Sequence, residues 1–396
     1  MLRLNPASVA GQLQNAFSSA AIDYINELSA RLLADPICRT MPDLLALAFW
    51  FRRQKLASLV QKYQKMPFQF KPLGLVCHNT PANVDSLFMY PALLSLLCGN
   101  NNLVRLSSRA GPSAEVLLRH INTLADAYPL QNAALQFIQA PHQDPELQDI
   151  IRSADGRVLW GADETIIKQR QQTVAAHCRD LSFSHKMSLT LLDAQTLCKA
   201  DPATFNTLLK LFCRDHLTYA QQACASAKVV IWLGDTQSVA AAKQRFWPAL
   251  AEVSQKQALL NDSEAYEALA GAQRLLLCSD NYQLWQTGQL QRLQIQALDT
   301  EMMRLHPGCG LFLELPVTSL ETLAPMLNVC HQTLSYWGIE ESRLFAWHNT
   351  ILSGLDRVVP LGQSFQFSEV WDGVDLIFQL SRVNAKNEAE SLIQDH

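Results

Sequence analysis

The sequence predicts an α/β protein of two lobes, each built on a parallel sheet, preceded by N-terminal helices. Three observations carry this. The chain has 396 residues, more than one hydrophobic core usually organises. Apolar residues make up 48% of it and charged residues 17%, enough to fill a large core. From residue 72 onward, short apolar runs alternate with helical-period segments, which is the βαβα signature of a parallel sheet with helices on both faces.

Residues 1–66 read as helical. Apolar side chains recur at helical spacing over 22–33. A second helix starts at Asp43, just after Pro42, and runs through LLALAFWFRRQKLASLVQKY. Arg52, Arg53 and Lys55 interrupt its aromatic cluster of Phe49, Trp50 and Phe51. It reads as a helix packed on the main body, with a membrane or partner face as the other reading. Residues 67–193 form the first lobe, with strands at 72–78, 102–108, 135–140 and 156–162 and helices at 86–99, 112–128 and 145–154. A strand at 188–193 closes it. The loops 79–85, 107–112 and 161–164 follow strand ends, where ligands bind on such sheets. Residues 194–357 begin a second alternation, with a helix at 204–217, a loop at 219–227 and a strand at 228–234. A helix at 238–253 and strands at 274–279 and 310–315 follow. The segment 358–396 is turn-rich, ends in a helix at 375–383 and returns to the first lobe.

A net charge of −4 without long runs of one sign excludes nucleic acid as the main partner. The N-terminus has no apolar signal region. The uncharged stretch 86–104 contains Pro91 and the triplet Asn100-Asn101-Asn102, so it reads as helix, turn and strand, not a membrane span. Ten scattered cysteines without a C-x2-C pair point to a reduced, cytoplasmic chain. Cys213 and His216 would share a helix face, but two ligands do not make a zinc site, and no metal is expected. No G-x-G-x-x-G, Walker A, G-x-S-x-G or H-E-x-x-H motif occurs.

Cys224 stands between a helix and the strand KVVIWL, with Gln221-Gln222-Ala223 before it and Ala225-Ser226 after it. Small neighbours leave room for a substrate carbonyl at an activated thiol; the other reading is one more core cysteine. In the strand-to-helix loop that carries Asn79-Thr80-Pro81-Ala82-Asn83, a side-chain amide either donates to an oxyanion or caps the following helix.

Five motifs fall in order: P-A-N-V, G-N-x-x-L-V-R-L-S-S, W-G-A-D-E-T, H-K-x-S and Q-Q-A-C-A-S-x-K-V-V. Together with SYWGI, RVVPLG and WDG nearer the C-terminus, they resemble the LuxC-type acyl-CoA reductases of bacterial bioluminescence, within the aldehyde dehydrogenase superfamily. The resemblance implies an aldehyde-dehydrogenase-like fold of two Rossmann-like lobes, the first of which, 67–193, binds cofactor and the second of which, 194–357, carries the catalytic cysteine. By position it makes Cys224 the acyl acceptor and Asn83 the amide of the oxyanion hole. Arg105 takes the place of a lysine near the adenosine ribose, Ser107 follows in the same loop, and Gly161 lies in the loop against the cofactor phosphates. On the residues alone, Arg105 is an ordinary strand residue.

One departure separates this chain from ordinary aldehyde dehydrogenases. Those carry a water-activating glutamate in E-L-G-G-K; aligning that lysine with Lys186 puts Ser182 at the glutamate's place. His185 beside it is either a general acid or base or a packed structural histidine. Glu314 is not assigned to the ribose. The implied reaction is reduction of an acyl thioester to an aldehyde, with NADPH, or alternatively NADH, as donor. The thioester is an acyl-CoA or an acyl-carrier or acyl-protein conjugate. A non-catalytic acyl-binding relative and an aldehyde-oxidising enzyme are the alternatives. An acyl-protein synthetase is the candidate partner, and a homo-oligomer is left open.

Overall fold

The structure, a computed structural model, describes residues 12–79, 86, 88–106, 111–278 and 282–385. It divides into two compact units. Met1–Ser184 joins Phe367–His396 in one, and His185–Gln366 forms the other.

The first unit holds the N-terminal helices. Ser18 caps Ser19–Ala34 by accepting from the Ala21 amide, and Tyr24, Ile25, Leu28 and Leu32 bury one face. The expected long second helix is two, Pro42–Trp50 and Arg53–Gln64. The break lets the consecutive Trp50 and Phe51 both pack inward against Tyr90, with ring centroids 5.2 and 6.1 Å away. Phe49 is left exposed under the Arg52 guanidinium. The buried Leu44, Leu47, Ala48, Trp50 and Phe51 make the packed-helix reading the one that fits.

A five-stranded parallel sheet follows. From edge to edge it runs Leu135–Ile138, Asn101–Arg105, Leu75–Asn79, Gly156–Trp160, Arg179–Phe183. The strand order reverses between Leu75–Asn79 and Gly156–Trp160, the switch point at which doubly wound sheets bind ligands beyond the strand ends. The chain comes back to this unit at Phe367, later than expected. Its final helix is only Leu376–Gln379, and Ser381–Ala385 pairs antiparallel with Phe68–Pro72 instead of continuing it. Leu376, Ile377 and Leu380 are already inside the core, so the apolar stripe that suggested a longer helix is used up in one turn.

The second unit is a seven-stranded sheet. Its order is Arg357–Pro360, His331–Trp337, Met187–Asp193, Ala227–Leu233, Leu311–Val317, Leu290–Gln294, Gln283–Thr287, parallel except for the last hairpin. Met187–Asp193 therefore belongs to this sheet and does not close the first. Of the segment 274–279, expected as a strand, residues 274–276 end the helix Asp262–Leu276 and 277–278 form a turn. Asn261 and Glu264 form its capping box, and Ala268, Gly271, Ala272 and Leu275 bury one face at helical spacing. Both sheet faces are packed, one around Leu189, Ile231 and Leu313, the other around Phe212, Trp232 and Trp247. Among the described residues no helix is long and apolar enough to cross a membrane.

Candidate active site

The loop before the strand Ala227–Leu233 is the most constrained stretch of the second unit. Helix Pro202–His216, capped by Asp201, delivers the chain into a turn at Thr218–Gln221. There Tyr219, Ala220 and Gln221 all take left-handed backbone angles, φ 60°, 48° and 62°. Non-glycine residues rarely hold this conformation, and a run of three survives only where the surroundings impose it. Here they do. The Gln221 amide, fully buried, donates to the Ala227 carbonyl at 2.8 Å and accepts from the Gly310 N–H at 3.0 Å. The Cys309 N–H donates to the Ala220 carbonyl at 2.8 Å, and the Gln222 amide to the Pro307 carbonyl at 2.6 Å. Gly308, at φ 75°, lies so close that a Cβ would sit 2.8 Å from Gln222 Nε2.

Cys224 follows this brace, half-buried. Ser188 Oγ donates to its carbonyl at 2.7 Å. Two residues on, Ser226 Oγ donates to the Asp215 carbonyl, and the Ala227 N–H donates to His216 Nδ1 at 3.0 Å. Complete burial lowers the His216 pKa to about 3, so this imidazole stays a neutral acceptor. The thiol is thus carried on backbone fixed from both sides.

In the first unit, Arg105 ends its strand half-buried. Its Nε donates to the Ala140 carbonyl at 3.0 Å and its NH1 to Asn79 Oδ1 at 3.2 Å. Asn79 is opposite both Arg105 and Leu159 in the sheet, so this pair stands at the switch point. Arg105, Asn79, His142 and Gln169 line one small pocket. Both amide atoms of the buried Gln169 lack a partner among the described residues. Gly161 opens the loop after the neighbouring strand at φ 152°, where a Cβ would press on Thr165 at 3.2 Å.

The acyl-CoA reductase (LuxC) family profile matches residues 12–383. The chain belongs to that family. Solved structures similar to it are aldehyde dehydrogenases. One is aldehyde dehydrogenase 21 from Physcomitrella patens in complex with the reaction product succinate, with a TM-score of 0.68, 10% identity and coverage of 96% of this chain and 86% of that one. Another is the Mycobacterium tuberculosis aldehyde dehydrogenase complexed with NAD+, at 0.65, 10%, 96% and 88%. A third is the glyceraldehyde-3-phosphate dehydrogenase GapN from Methanocaldococcus jannaschii complexed with NADP, at 0.63, 13%, 96% and 89%. These likenesses establish the aldehyde dehydrogenase fold. No curated protein sequence matches the chain.

As a LuxC-family acyl-CoA reductase, the protein uses several of its signature strings as scaffold. In RVVPLG, Arg357 donates to the carbonyls of Gln363, Ser364 and Gln366, while Asp215 accepts from the Gly362 N–H and the Ser364 hydroxyl. WDG is a hairpin turn, with Asp372 and Gly373 at φ 51° and 76°. Glu314 is completely buried. Its Oε1 accepts from the indoles of Trp232 and Trp247 at 3.0 and 2.8 Å and faces Lys243 at 3.4 Å, so this carboxylate is part of the core.

The structure brings Arg105 and Asn79 together and leaves His185 exposed in the link between the strands Arg179–Phe183 and Met187–Asp193. Ser182 is exposed, and Lys186 pairs with Asp356 at 2.5 Å. Asn83 and Ser107 lie outside the described residues. Cys213 and His216 are packed in the core, with the imidazole taken by Ala227. Asp35, Cys38 and His120 gather within 4.8 Å, but Asp35 is hydrogen-bonded to His120 at 2.8 Å and ion-paired with Arg119 at 3.3 Å. The residues given no role of their own from sequence are the braces: Ser188, Gln221, Gln222 and the loop 306–310. The crowded string H-P-G-C-G, with two glycines in five residues, was the available signal for that loop.

Proposed function

We propose that this acyl-CoA reductase works through a covalent acyl-Cys224 and a nicotinamide cofactor. The Cys224 thiolate attacks the thioester carbonyl and expels the donor thiol, CoA or a carrier thiol, leaving an acyl-cysteine. Asn83 and the Cys224 backbone N–H donate to the oxyanion formed on the way. When bound, the cofactor supplies hydride to the acyl carbon; release of the aldehyde then restores the thiolate. Arg105 and Ser107 hold the adenosine side of the cofactor, Gly161 admits its phosphates, and His185 exchanges the proton that the thiols and the oxyanion require.

The single observation that best supports the reading is the braced, left-handed turn that presents Cys224. Strain of this kind is retained where function needs a fixed side chain. The first unit fits a dinucleotide. Its reversed strand order, the bare Gly161 and the anchored Arg105 surround the crevice such a cofactor uses. The acids Asp163 and Glu164 in the first turn after Gly161 oppose a pyrophosphate on that helix end, so the backbone of the Gly161 loop has to receive it. NADPH is favoured over NADH, since the Arg105 guanidinium suits a 2′-phosphate. Ten cysteines with no disulfide among the described ones fit a reducing cytoplasm. The test is a panel of acyl-CoAs with NADPH or NADH, following loss of reduced cofactor and formation of aldehyde. Wild-type turnover that vanishes in Cys224→Ala with the fold retained supports the reading; undiminished turnover in that variant removes it.

A further inference from the structure

Lys228 is the residue that the second sheet leaves out of its ladders. On one side Ser188 faces Ala227 and Leu189 faces Val229, so Lys228 is the extra residue of a β-bulge. On the other side pairing begins only at Val229. Bulges re-aim side chains and concentrate next to active sites. Lys228 is only 9% exposed, and its ammonium has no hydrogen-bond or ion-pair partner among the described residues. A buried cation without a counter-charge is costly.

Two titratable groups lie within electrostatic range of it. One is Cys224, four residues earlier, whose thiolate charge favours the ammonium against the desolvation that lowers its pKa. The other is His306, in the loop that braces the cysteine turn. His306 is buried, and its Nδ1 accepts from the Gly308 N–H at 3.0 Å, which places the proton on Nε2. Burial and the Lys228 charge both hold this imidazole neutral. Neither loop brings a carboxylate to the lysine: Asp215 is spent on Gly362 and Ser364, and Glu314 on two indoles and Lys243.

We propose that Lys228 is a positioning residue whose buried ammonium is the counter-charge of the Cys224 thiolate. This rests on Cys224 being the acyl acceptor. The pairing acts at both ends of the cycle. It keeps the thiol ionised for attack, in which the new C–S bond forms as the donor's C–S bond breaks. Acylation then removes the sulfur's negative charge and leaves Lys228 buried and unpaired. That state is relieved when the C–S bond to Cys224 breaks, the electron pair returns to sulfur and the aldehyde leaves. No external oxidant or reductant enters beyond the hydride donor already invoked.

The experiment is alkylation of the full-length protein by iodoacetamide between pH 5 and 10, resolved to the Cys224 peptide by mass spectrometry because ten cysteines are present. In the wild type, the Cys224 midpoint should fall at least one unit below the ordinary thiol value of about 8.5. Lys228→Met should raise it by a unit or more, slowing alkylation near pH 6 about tenfold. Lys228→Arg should restore it. Coincident wild-type and Lys228→Met profiles overturn the proposal, as does an equal shift in the Arg variant, which would make the effect one of shape and not of charge. Should Lys228→Met fail to fold, the wild-type profile still decides, since a midpoint at or above about 8.5 sinks the idea. Acyl-CoA adduct formation on wild-type Cys224 is measured in parallel. Without an adduct the nucleophile assignment fails; with an adduct and an unmoved profile, only the role of Lys228 fails.

Discussion

The Ser188 hydroxyl donates to the Cys224 carbonyl across 2.7 Å, so the strand Met187–Asp193 fixes the backbone of residue 224, the proposed nucleophile. Ser188 is fully buried and its hydroxyl makes no other hydrogen bond described, which makes it a clean probe of how much that fixation matters. Ser188→Ala should lower kcat/KM several-fold, as loss of one hydrogen bond of about 0.5–1.5 kcal/mol implies. Cofactor affinity should stay unchanged. Gly308→Ala should be far more damaging, because its Cβ would meet Gln222 Nε2 at 2.8 Å and Gln221 O at 3.1 Å. Steady-state kinetics with separate KM values check both; a Gly308→Ala enzyme of wild-type activity would show that the brace is dispensable.

Glu314 offers a way to separate core from cofactor chemistry. Removing its carboxylate by Glu314→Ala strands two buried indole N–H groups and leaves Lys243 and Arg292 without their anion. Breaking a buried charged network from one side costs about 3–5 kcal/mol. Glu314→Gln keeps one acceptor and should lose less. Urea unfolding gives the stability change, and cofactor titration of the folded fraction should show unaltered affinity. A selective loss of cofactor binding at full stability would move Glu314 into the cofactor site.

Stability should fall with acid through buried imidazoles. Burial lowers His78 from 6.5 to about 4 and His216 from 6.5 to about 3. Below the unfolded value near 6.5 the unfolded chain binds protons that these two native side chains refuse, so the native state loses ground as pH drops. Each contributes about 1.4 kcal/mol per pH unit down to its folded value. Asp215, whose buried carboxyl titrates above its usual range, offsets a small part at the low end. The urea midpoint measured from pH 7 to 4.5 should decline steadily, and His78→Gln should flatten the decline. A midpoint independent of pH in that window contradicts the burial argument.

The alternation of apolar runs and helical segments was readable because the central strands of both sheets are parallel and buried on both faces, where composition alone marks them. It failed where one stripe fits two structures. The run at 274–279 is apolar enough for a strand, yet Leu275 completes the buried face of a helix fixed by the Asn261–Glu264 box, and Leu277 just beyond it is exposed. The tail 375–383 has a helical stripe that a single turn satisfies before Ser381–Ala385 joins Phe68–Pro72, a partner some three hundred residues away that no local pattern reveals. The proposal of Cys224 as the acyl acceptor comes only from the order of several motifs, since nothing local distinguishes it among ten cysteines. Its brace was not legible, because the partners Gln221–Gly310 and Ser188–Cys224 are set by tertiary contact.

The last expectation concerns water. By the sequence resemblance Ser182 takes the place of the carboxylate base of ordinary aldehyde dehydrogenases, and no acid occurs between Leu181 and Leu192. Near Cys224 in its own unit, Asp215 is consumed by Gly362 and Ser364, and Glu314 by Trp232 and Trp247. Two described groups close to the cysteine segment are a hydroxyl, Ser188, and an ammonium, Lys228, neither of which is a carboxylate base. An acyl group on Cys224 should therefore persist. Without reduced cofactor, acyl-CoA should leave one acyl mass on the intact protein, lost in Cys224→Ala. NADPH should discharge it as aldehyde. A free thiol should discharge it by exchange, because a thiolate needs no general base. Rapid decay to free acid with neither reagent present would reveal a hydrolytic base. His185→Gln would then be the first variant to make, since this exposed imidazole lies just after the strand that carries Ser182 and is the nearest side-chain base in the sequence. If that variant restored a stable adduct, the chemistry would be that of an oxidising dehydrogenase or an esterase, and the aldehyde would be its substrate or absent altogether.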